Sequence, residues 1–586
     1  MIPHPDSVAG VIARLLRRRG VARVFALCGG HIMPIWMRLD AEGIAIVDVR
    51  DERAAVHMAQ AHAELTGGLG VALVTAGPGV TNAMTGIANA HVSRAPVLVV
   101  SGTSPTAQEN RGGLQDLDHT RLVGSITRYA RPVRDPALAL PELDEAIARA
   151  FGEGGEPGPA YIDFPTDVLR RPVPKAVQLD EHLRAKPRPA TRPDPAGIAD
   201  AVELLWGARR VLVVSGRGAR GAGPELTALL DRLGAVYLDT GESRGLVPDA
   251  HPSVVAAMRG AVMGDADVVL TVGRRLDFQL AYGSPAVFGS ARFVRIGDVP
   301  GELRDNRRGA VEIMATPAEA LRALVEAAGN RTSSVDRAWA ERLRRAHEDR
   351  AGKLRRTMKA APPGSDGRLH PNRVLAGLQE AMGPDAIAIT DGGDFLSFAR
   401  VGLSAPTMLD PGPFGCIGVG VPYGIAASLA FPDRPVVVAT GDGAFGFNAI
   451  EVDTAVRHKA PVLIVVANNG AWQIEVHDQA TTYGKVVGTR LQFSDHAAMA
   501  RAFGMHAERV ETEAELGPAI ARAFAETRTH RRPALLDVVV TPEAVSSDAK
   551  TGLAWVPDLQ PLAAWDDAER RWREGTDAHA RPGEQA

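Results

Sequence analysis

The stretch 434–473 constrains the fold of this chain more than any other part of it. Apolar runs, glycines and a helical pattern alternate there, and they predict a strand, a turn, a helix and a second strand at residues 436–440, 441–443, 447–458 and 461–467. In a right-handed parallel unit the carboxyl ends of both strands lie at the same edge of the sheet. Asp442 and the pair Asn468 and Asn469 should therefore meet at that edge.

The residue types at this edge suit a hard divalent cation. Such ions take oxygen ligands and often share them with phosphates, and a carboxylate and a carboxamide both supply oxygens. Gly441 and Gly443 would leave backbone N–H groups open to phosphate oxygens at the start of the following helix. Taken alone, Gly-Asp-Gly is also consistent with an ordinary turn.

The whole unit, Gly441-Asp442-Gly443 followed by Asn468-Asn469, resembles the thiamin diphosphate signature of the decarboxylase and acetolactate synthase superfamily. The resemblance implies two cofactors, thiamin diphosphate and Mg2+. It implies that the Asp442 and Asn469 side chains and the backbone carbonyl of Ala471 bind the metal. The residues implied to contact the cofactor in this half of the site are Gly393, Asp394, Gly441, Gly443, Ala444 and Asn469.

The length and the alternating patterns indicate several domains. The 586 residues suggest about three, and alternating strand and helix patterns favour parallel sheets with helices on both faces. We predict an α/β fold with three doubly wound parallel-sheet domains and a C-terminal lid or tail. The expected limits are 1–168 for a pyrimidine-binding domain, 169–195 for a linker, 196–330 for a middle nucleotide-binding-like domain, 331–367 for a linker helix, 368–542 for a diphosphate-binding domain and 543–586 for the lid and tail.

The composition argues against several other classes of protein. A formal net charge of −3 gives no electrostatic case for a nucleic-acid partner. Cys28 and Cys416 both lie among glycines, so a disulfide framework is not expected and a reducing cytoplasm fits. No apolar run reaches the length of a membrane span, and the start lacks the apolar core of a signal peptide. We expect a cytoplasmic protein with no membrane partner.

A second half of the site is expected near residue 52. Arg50-Asp51-Glu52, followed by an Ala-rich helix, resembles the family segment that carries the activating glutamate. Thiamin diphosphate chemistry needs a carboxylate at the pyrimidine ring nitrogen, because that contact favours the imino tautomer that removes the thiazolium proton. The resemblance gives this catalytic role to Glu52. Considered alone, Glu52 is also a first-turn glutamate favoured by the helix dipole.

Two glycine loops complete the implied cofactor site. Gly77 and Pro78 resemble the family's pyrimidine-binding turn, with Asn82 as a cofactor contact, although a glycine there also permits a tight turn. Ile417 matches the large apolar residue that bends the cofactor into a V, and the alternative is a core isoleucine. The resemblance further implies that the first domain of one subunit faces the third domain of another. A homodimer is then the minimum active unit, and a homotetramer is usual.

Three segments resemble the coenzyme A branch of the superfamily, which contains oxalyl-CoA decarboxylase and 2-hydroxyacyl-CoA lyase; they are 114–119, 272–283 and 415–423. The first departs from that branch, because Leu114 and Gln115 stand where Tyr and Glu are common. Gln115 is predicted to be a catalytic residue that hydrogen-bonds a hydroxyl or carbonyl without carrying a proton. Leu114 suits a small apolar or branched substituent.

The predicted substrate pocket contains Gly30, His31, Leu114 and Ile417. His31 has a pKa range suited to proton transfer, and a surface or structural histidine is the alternative. In the middle domain, Gly216, Gly218 and Asp298 would hold ADP or FAD, or the glycines would only form turns. In the tail, Lys550 would meet a coenzyme A phosphate under a closing lid, or it would be solvated.

Together these resemblances imply a lyase that acts on a short acyl-CoA substrate. The bond between the thioester carbonyl carbon and the hydroxyl-bearing carbon would break, giving formyl-CoA and an aldehyde or ketone. The specific expectation is 2-hydroxyisobutyryl-CoA, which would give acetone. The alternatives are an oxalyl-CoA decarboxylase, an acetolactate synthase-like enzyme on a free 2-keto acid, and a non-catalytic homologue.

Overall fold

The computed structural model describes residues 2–174 and 190–546. These residues form two compact units, one of 2–174 together with 358–546 and one of 190–357. The first unit contains two six-stranded sheets and the second contains one five-stranded sheet. The predicted α/β class with three parallel-sheet domains is confirmed. Most of the expected lid, with Lys550, lies outside the described residues.

The N-terminal sheet contains six parallel strands: β1 Arg23–Ala26, β2 Ala45–Asp48, β3 Gly70–Val74, β4 Val97–Thr103, β5 Tyr129–Pro132 and β6 Ala160–Pro165. Their order is β2-β1-β3-β4-β6-β5. Parallel neighbours need a crossover connection, which is usually a helix. The helices of this part are α1 Val8–Arg18, α2 Met33–Ala41, α3 Glu52–Thr66, α4 Pro78–Val92, α5 His119–Val123, α6 Ala139–Ala150 and α7 Thr166–Arg170.

The central sheet contains five parallel strands: β7 Val211–Ser215, β8 Val236–Leu238, β9 Val268–Val272, β10 Arg292–Gly297 and β11 Val311–Met314. Their order is β11-β10-β9-β7-β8. The helices of this part are α8 Pro195–Gly207, α9 Gly223–Leu233, α10 Arg259–Asp265, α11 Pro285–Phe288, α12 Pro300–Leu303 and α13 Pro317–Ala328, followed by the long α14 Arg337–Lys359. Strand β9 is buried along its whole length, as expected for a sheet covered on both faces.

The C-terminal sheet contains six parallel strands: β12 Ile387–Asp391, β13 Thr407–Leu409, β14 Val436–Gly441, β15 Val462–Asn468, β16 His506–Val510 and β17 Ala534–Val539. Their order is β13-β12-β14-β15-β17-β16. The helices are α15 Pro371–Met382, α16 Asp394–Gly402, α17 Gly420–Ala430, α18 Asp442–Asn448, α19 Val452–Arg457, α20 Gln473–Thr482, α21 His496–Ala502 and α22 Glu513–Arg528. None of the described helices is both long and apolar enough to cross a membrane.

Helices α3, α4 and α17 join the N-terminal and C-terminal sheets of the first unit. One apolar core contains residues of both sheets, among them Val56 of α3 and Ile425 of α17. A buried polar contact lies within it, because the Asn89 side chain donates to Gln60 Oε1 (2.9 Å) and to the Tyr423 hydroxyl (3.0 Å). These bonds satisfy groups that would be costly to bury unpaired.

The structure corrects the predicted helix at 447–458. Asp442 and Gly443 are not a separate turn, because α18 begins directly at Asp442 and ends at Asn448. A single 3-10 turn, Ala449–Glu451, separates it from α19. The Phe447 carbonyl accepts a hydrogen bond from the Arg53 guanidinium (2.7 Å). Arg53 of the N-terminal domain therefore hydrogen-bonds a carbonyl of the C-terminal domain at the point where the helix is interrupted.

Candidate active site

The predicted metal ligands lie together at the carboxyl edge of the C-terminal sheet. Strands β14 and β15 are neighbours, with Gly441 paired to Ala467, so the residues that follow them meet. The Asp442 carboxylate accepts the backbone N–H of Gly470 (3.0 Å), and Asn469 Oδ1 accepts that of Ala471 (3.2 Å). The geometric expectation that Asp442 and the asparagine pair share one edge therefore agrees with the structure.

The donor set fits a hard cation rather than a soft one. Asp442 and Asn469 are buried but retain 6% and 9% exposure, and both offer oxygen atoms. Among the described residues no group of three or more His, Cys, Asp or Glu side chains could hold a metal ion. The rest of a Mg2+ coordination shell usually comes from water and phosphate oxygens.

Burial raises the pKa of Asp442 to about 6. Removing a carboxylate from water disfavours its charged form. A divalent cation is the largest local charge in such a site and opposes that effect. The electrostatics of Asp442 therefore agree with a site that receives a cation.

Asn468 and Asn469 have different surroundings. Asn468 belongs to β15, and its amide donates to the Ser494 carbonyl (2.9 Å) and to Asp537 Oδ1 (3.0 Å). Those contacts tie Asn468 to the neighbouring chain segments. Of the two asparagines, Asn469 is therefore the one that lies next to Asp442.

The two glycines that flank Asp442 also differ. A Cβ at Gly443 would lie 2.5 Å from the Trp472 ring, so packing alone requires glycine there. A Cβ at Gly441 would meet nothing closer than 3.9 Å. Close packing therefore restricts the side chain at Gly443 but not at Gly441. Ala444, the next predicted contact, is 3% exposed.

Glu52 is the first residue of α3 and follows β2. Asp51 caps the helix by accepting the Arg53 N–H (2.8 Å), so the helix start is fixed by a side chain of the preferred type. Glu52 is 5% exposed, and its Oε2 accepts a hydrogen bond from Asn82 Nδ2 (3.1 Å). The structure thus makes Asn82 a partner of Glu52, in addition to its predicted role as a cofactor contact.

The turn that contains Gly77 and Pro78 lies against the loop that carries Gln115. Gly77 has φ +60°, and a Cβ there would be 2.8 Å from the Gln115 Cβ, so this position requires glycine. The Gly77 N–H donates to Nε2 of the buried His119 (2.8 Å). His119 Nδ1 lies 3.5 Å from Asp163. Sequence reasoning missed this role of His119, because nothing in the sequence around His119 indicates a contact with Gly77.

His31 is buried and lies beside Gln115. Burial lowers the pKa of His31, and a hydrogen bond with the Gln115 side chain opposes that shift. A Cβ on Gly102 would lie 2.2 Å from the His31 carbonyl, so the surrounding backbone is closely packed. Gly30 is exposed. His31 and Gln115, predicted separately, are therefore neighbours, and His31 is not a surface histidine.

Ile417 lies in a loop held by a buried carboxylate. Asp391, at the end of β12, accepts N–H groups of Gly392 (2.7 Å), Gly418 (3.0 Å) and Gly420 (2.7 Å). Burial raises the pKa of Asp391 to about 6, while the three N–H groups act in the opposite direction. Ile417 itself is partly buried. Asp391 therefore fixes the loop directly after Ile417, a role that sequence reasoning did not assign.

The remaining predicted residues lie at different depths. Asp394 begins α16 and is 6% exposed. Gly393 precedes it, and a Cβ there would lie 2.9 Å from Ile474. Leu114 is 76% exposed. The apolar Leu114 side chain, next to Gln115 in the sequence, is thus open to solvent.

The glycines of the central domain have an internal structural role. A Cβ at Gly216 would lie 2.6 Å from the Arg274 side chain, and a Cβ at Gly218 would lie 2.8 Å from Gly273. The Arg274 guanidinium donates to both oxygens of Asp277 (2.7 and 3.1 Å). Close packing within the domain therefore explains these glycines without a bound nucleotide.

The fold and the site define a thiamine pyrophosphate enzyme. Residues 6–122, 198–324 and 392–538 match the N-terminal TPP binding domain, the central domain and the C-terminal TPP binding domain of thiamine pyrophosphate enzymes. The chain belongs to this family. The predicted class, a thiamin diphosphate-dependent carbon–carbon lyase, is confirmed at this level.

Relatives named for two different activities align with most of the chain. The acetolactate synthase large subunit IlvG of Mycobacterium tuberculosis is 34% identical over 557 residues, which cover 93% of this chain and 97% of that protein. Human 2-hydroxyacyl-CoA lyase 2 is 33% identical over 541 residues, 84% of this chain and 83% of its own length. The 2-hydroxyacyl-CoA lyase of Arabidopsis thaliana is 31% identical over 569 residues, 92% and 97% of the two chains. The chain is therefore related to both groups.

Proposed function

We propose that this protein is a 2-hydroxyacyl-CoA lyase that uses thiamin diphosphate and Mg2+ and acts on a short, branched substrate such as 2-hydroxyisobutyryl-CoA. The bond between the carbonyl carbon and the hydroxyl-bearing carbon breaks. The hydroxyl group loses its proton and becomes the carbonyl of acetone, and the thioester carbon gains a proton, giving formyl-CoA. The observation that carries the proposal is the exposed Leu114 next to Gln115, which lies against the Gly77 turn.

The cofactor, when bound, supplies a nucleophilic carbon and an electron sink. In this proposal Asp442, Asn469 and the Ala471 carbonyl hold the metal ion. Glu52 holds a proton at the pyrimidine nitrogen, and the hydrogen bond from Asn82 fixes the orientation of its carboxylate. Ile417 supports the cofactor from the loop that Asp391 holds.

In this proposal Gln115 and His31 contact the substrate. The Gln115 amide can donate to a carbonyl or accept from a hydroxyl. Because burial lowers the pKa of His31, its ring is neutral at neutral pH and can accept a hydrogen bond. Together they would align the hydroxyl and carbonyl groups of the substrate.

An acetolactate synthase-like reaction on a free 2-keto acid is the second candidate. The alignment with the Mycobacterium tuberculosis protein over 93% of this chain favours it. FAD retained on purification would support this candidate, because the resemblance implies FAD in the central domain of acetolactate synthases. The proposal also includes a homodimer as the minimum unit, assembled into a homotetramer, in the cytoplasm.

Mass spectrometry of the purified protein with 2-hydroxyisobutyryl-CoA tests the proposal. We expect formyl-CoA and acetone to form together, and only when thiamin diphosphate and Mg2+ are both present. Parallel reactions with oxalyl-CoA and with pyruvate serve as comparisons. An intact thioester together with acetolactate formed from pyruvate would replace the lyase with the second candidate.

Replacing Leu114 with tyrosine should change the choice of substrate. A larger ring at this open position would crowd the second methyl group of 2-hydroxyisobutyryl-CoA. We expect kcat/KM for this substrate to fall roughly 10-fold or more relative to lactyl-CoA, since small steric differences in a pocket discriminate by about 10- to 200-fold. The control is Leu117→Tyr, at another exposed position of the same loop (46% exposed), which should keep the wild-type ratio. An unchanged ratio in Leu114→Tyr would remove Leu114 from the substrate pocket.

A further inference from the structure

A carboxylate of the C-terminal domain reaches the backbone of the N-terminal domain directly before Glu52. Glu451 lies in the 3-10 turn Ala449–Glu451 and has no exposed surface. Its Oε1 accepts the backbone N–H groups of Arg50 (3.0 Å) and Asp51 (3.1 Å). Its Oε2 accepts the hydroxyl of Thr454 (2.6 Å). All three donors point at one buried side chain.

These bonds fix the turn that leads into α3. Arg50 and Asp51 precede the helix, so helical hydrogen bonds do not satisfy their N–H groups. Donors left unpaired away from water are costly. Glu451 satisfies both donors, and Asp51 then caps the helix that begins with Glu52. The direction in which Glu52 leaves the backbone therefore depends on a contact from the other domain.

The segment before Glu451 has a second connection to the site. The Phe447 carbonyl accepts from Arg53 (2.7 Å). The Asn448 amide donates to the Gly418 carbonyl (2.6 Å), beside Ile417. Residues 447–451 thus contact both the turn that carries Glu52 and the loop that carries Ile417. A shift of this short segment would therefore move both the Glu52 turn and the Ile417 loop, which in the proposed homodimer belong to two different cofactor sites.

We propose that Glu451 is a positioning residue for Glu52, and that its contact with the Arg50 and Asp51 backbone keeps the Glu52 carboxylate in place for cofactor activation. This inference rests on the cofactor role of Glu52 in the proposed function. It requires hydrogen-bond acceptance rather than charge. Burial raises the pKa of Glu451 to about 7, so the neutral form is readily reached in the folded protein. A neutral glutamine of the same length can accept the same two bonds.

Four variants separate positioning from general stability. Glu451→Ala removes the acceptor, Glu451→Asp withdraws it by one methylene, and Glu451→Gln restores it without charge. Asp453→Asn is the matched control, because Asp453 contacts the side chain of Arg50 (3.4 Å) but not its backbone.

Amide hydrogen exchange of the peptide containing Arg50 and Asp51 is measured in the cofactor-free full-length protein. Hydrogen–deuterium exchange at the reactive thiazolium carbon of bound thiamin diphosphate is measured by NMR without acyl substrate.

The alanine variant should exchange the Arg50 and Asp51 amides at least tenfold faster. Its thiazolium exchange should be at least tenfold slower, while the affinity for thiamin diphosphate stays within threefold of wild type. Glu451→Asp should show the same changes to a smaller extent, which provides the test if the alanine variant does not fold. Glu451→Gln and Asp453→Asn should both remain within threefold of wild type.

Two outcomes contradict the inference and differ from each other. Wild-type thiazolium exchange in Glu451→Ala and Glu451→Asp would reduce Glu451 to a structural contact. If Glu52→Gln also exchanged at the wild-type rate, the cofactor role of Glu52 would be wrong, and the inference with it. Failure of the protein to cleave 2-hydroxyisobutyryl-CoA affects neither measurement, because no acyl substrate is present.

Discussion

Glu52→Gln should lower kcat by roughly 10²- to 10⁴-fold, the usual contribution of a positioned acid–base group. The amide keeps the size of the side chain and can still accept the hydrogen bond from Asn82. It cannot hold an exchangeable proton at the pyrimidine nitrogen as a carboxyl group does. The affinity for thiamin diphosphate should change much less than kcat. Steady-state kinetics with saturating cofactor and Mg2+ measures the effect.

A second glutamate of the same helix provides the control. Glu64 lies in the last turns of α3 and accepts a hydrogen bond from the Gln60 amide (2.9 Å), which a glutamine can also do. Glu64→Gln should therefore keep both the melting temperature and kcat close to wild type. Near-normal turnover in Glu52→Gln, with thiamin diphosphate still required, would remove Glu52 from the chemistry.

Sequence logic predicted the parts of the site that one supersecondary unit determines. Asp442 and Asn469 follow neighbouring parallel strands, so strand geometry alone brings them together. Glu52 was identified by the resemblance of Arg50-Asp51-Glu52 to the family segment, and in the structure it is the first residue of α3. Such contacts can be predicted from the sequence because the residues that meet and the pattern that indicates them lie in the same stretch of chain.

The contacts that hold these residues depend on tertiary structure and were not predicted. Glu451 pairs with a backbone 400 residues earlier in the chain. His119 accepts from Gly77 across a loop, and its neighbours in sequence give no sign of it. Asp391 stands in a glycine-rich loop at a strand end, which was a usable signal, but its partners Gly418 and Gly420 come from a later segment. Periodicity describes which face of an element is buried, not which distant donor meets a given acceptor.

Asp442→Asn should weaken binding of Mg2+ and, through it, of thiamin diphosphate. Asparagine keeps an oxygen that can accept the Gly470 N–H, so the fold should be retained. The charge that a hard cation requires is lost, however. Since even outer residues of metal sites change affinity by about 10- to 100-fold, a direct ligand should cost roughly 100-fold or more. Calorimetric titration of thiamin diphosphate at several Mg2+ concentrations measures this change.

The matched control for Asp442→Asn lies at the other end of the same sheet strand. Asp433 precedes β14, and its side chain is 97% exposed, so Asp433→Asn makes the same chemical change away from the predicted metal site. It should leave the Mg2+ dependence of thiamin diphosphate binding unchanged. If Asp442→Asn also bound the cofactor with wild-type Mg2+ dependence, Asp442 would not be a metal ligand. The raised pKa of Asp442 would then reflect burial of a carboxylate that has only a structural role.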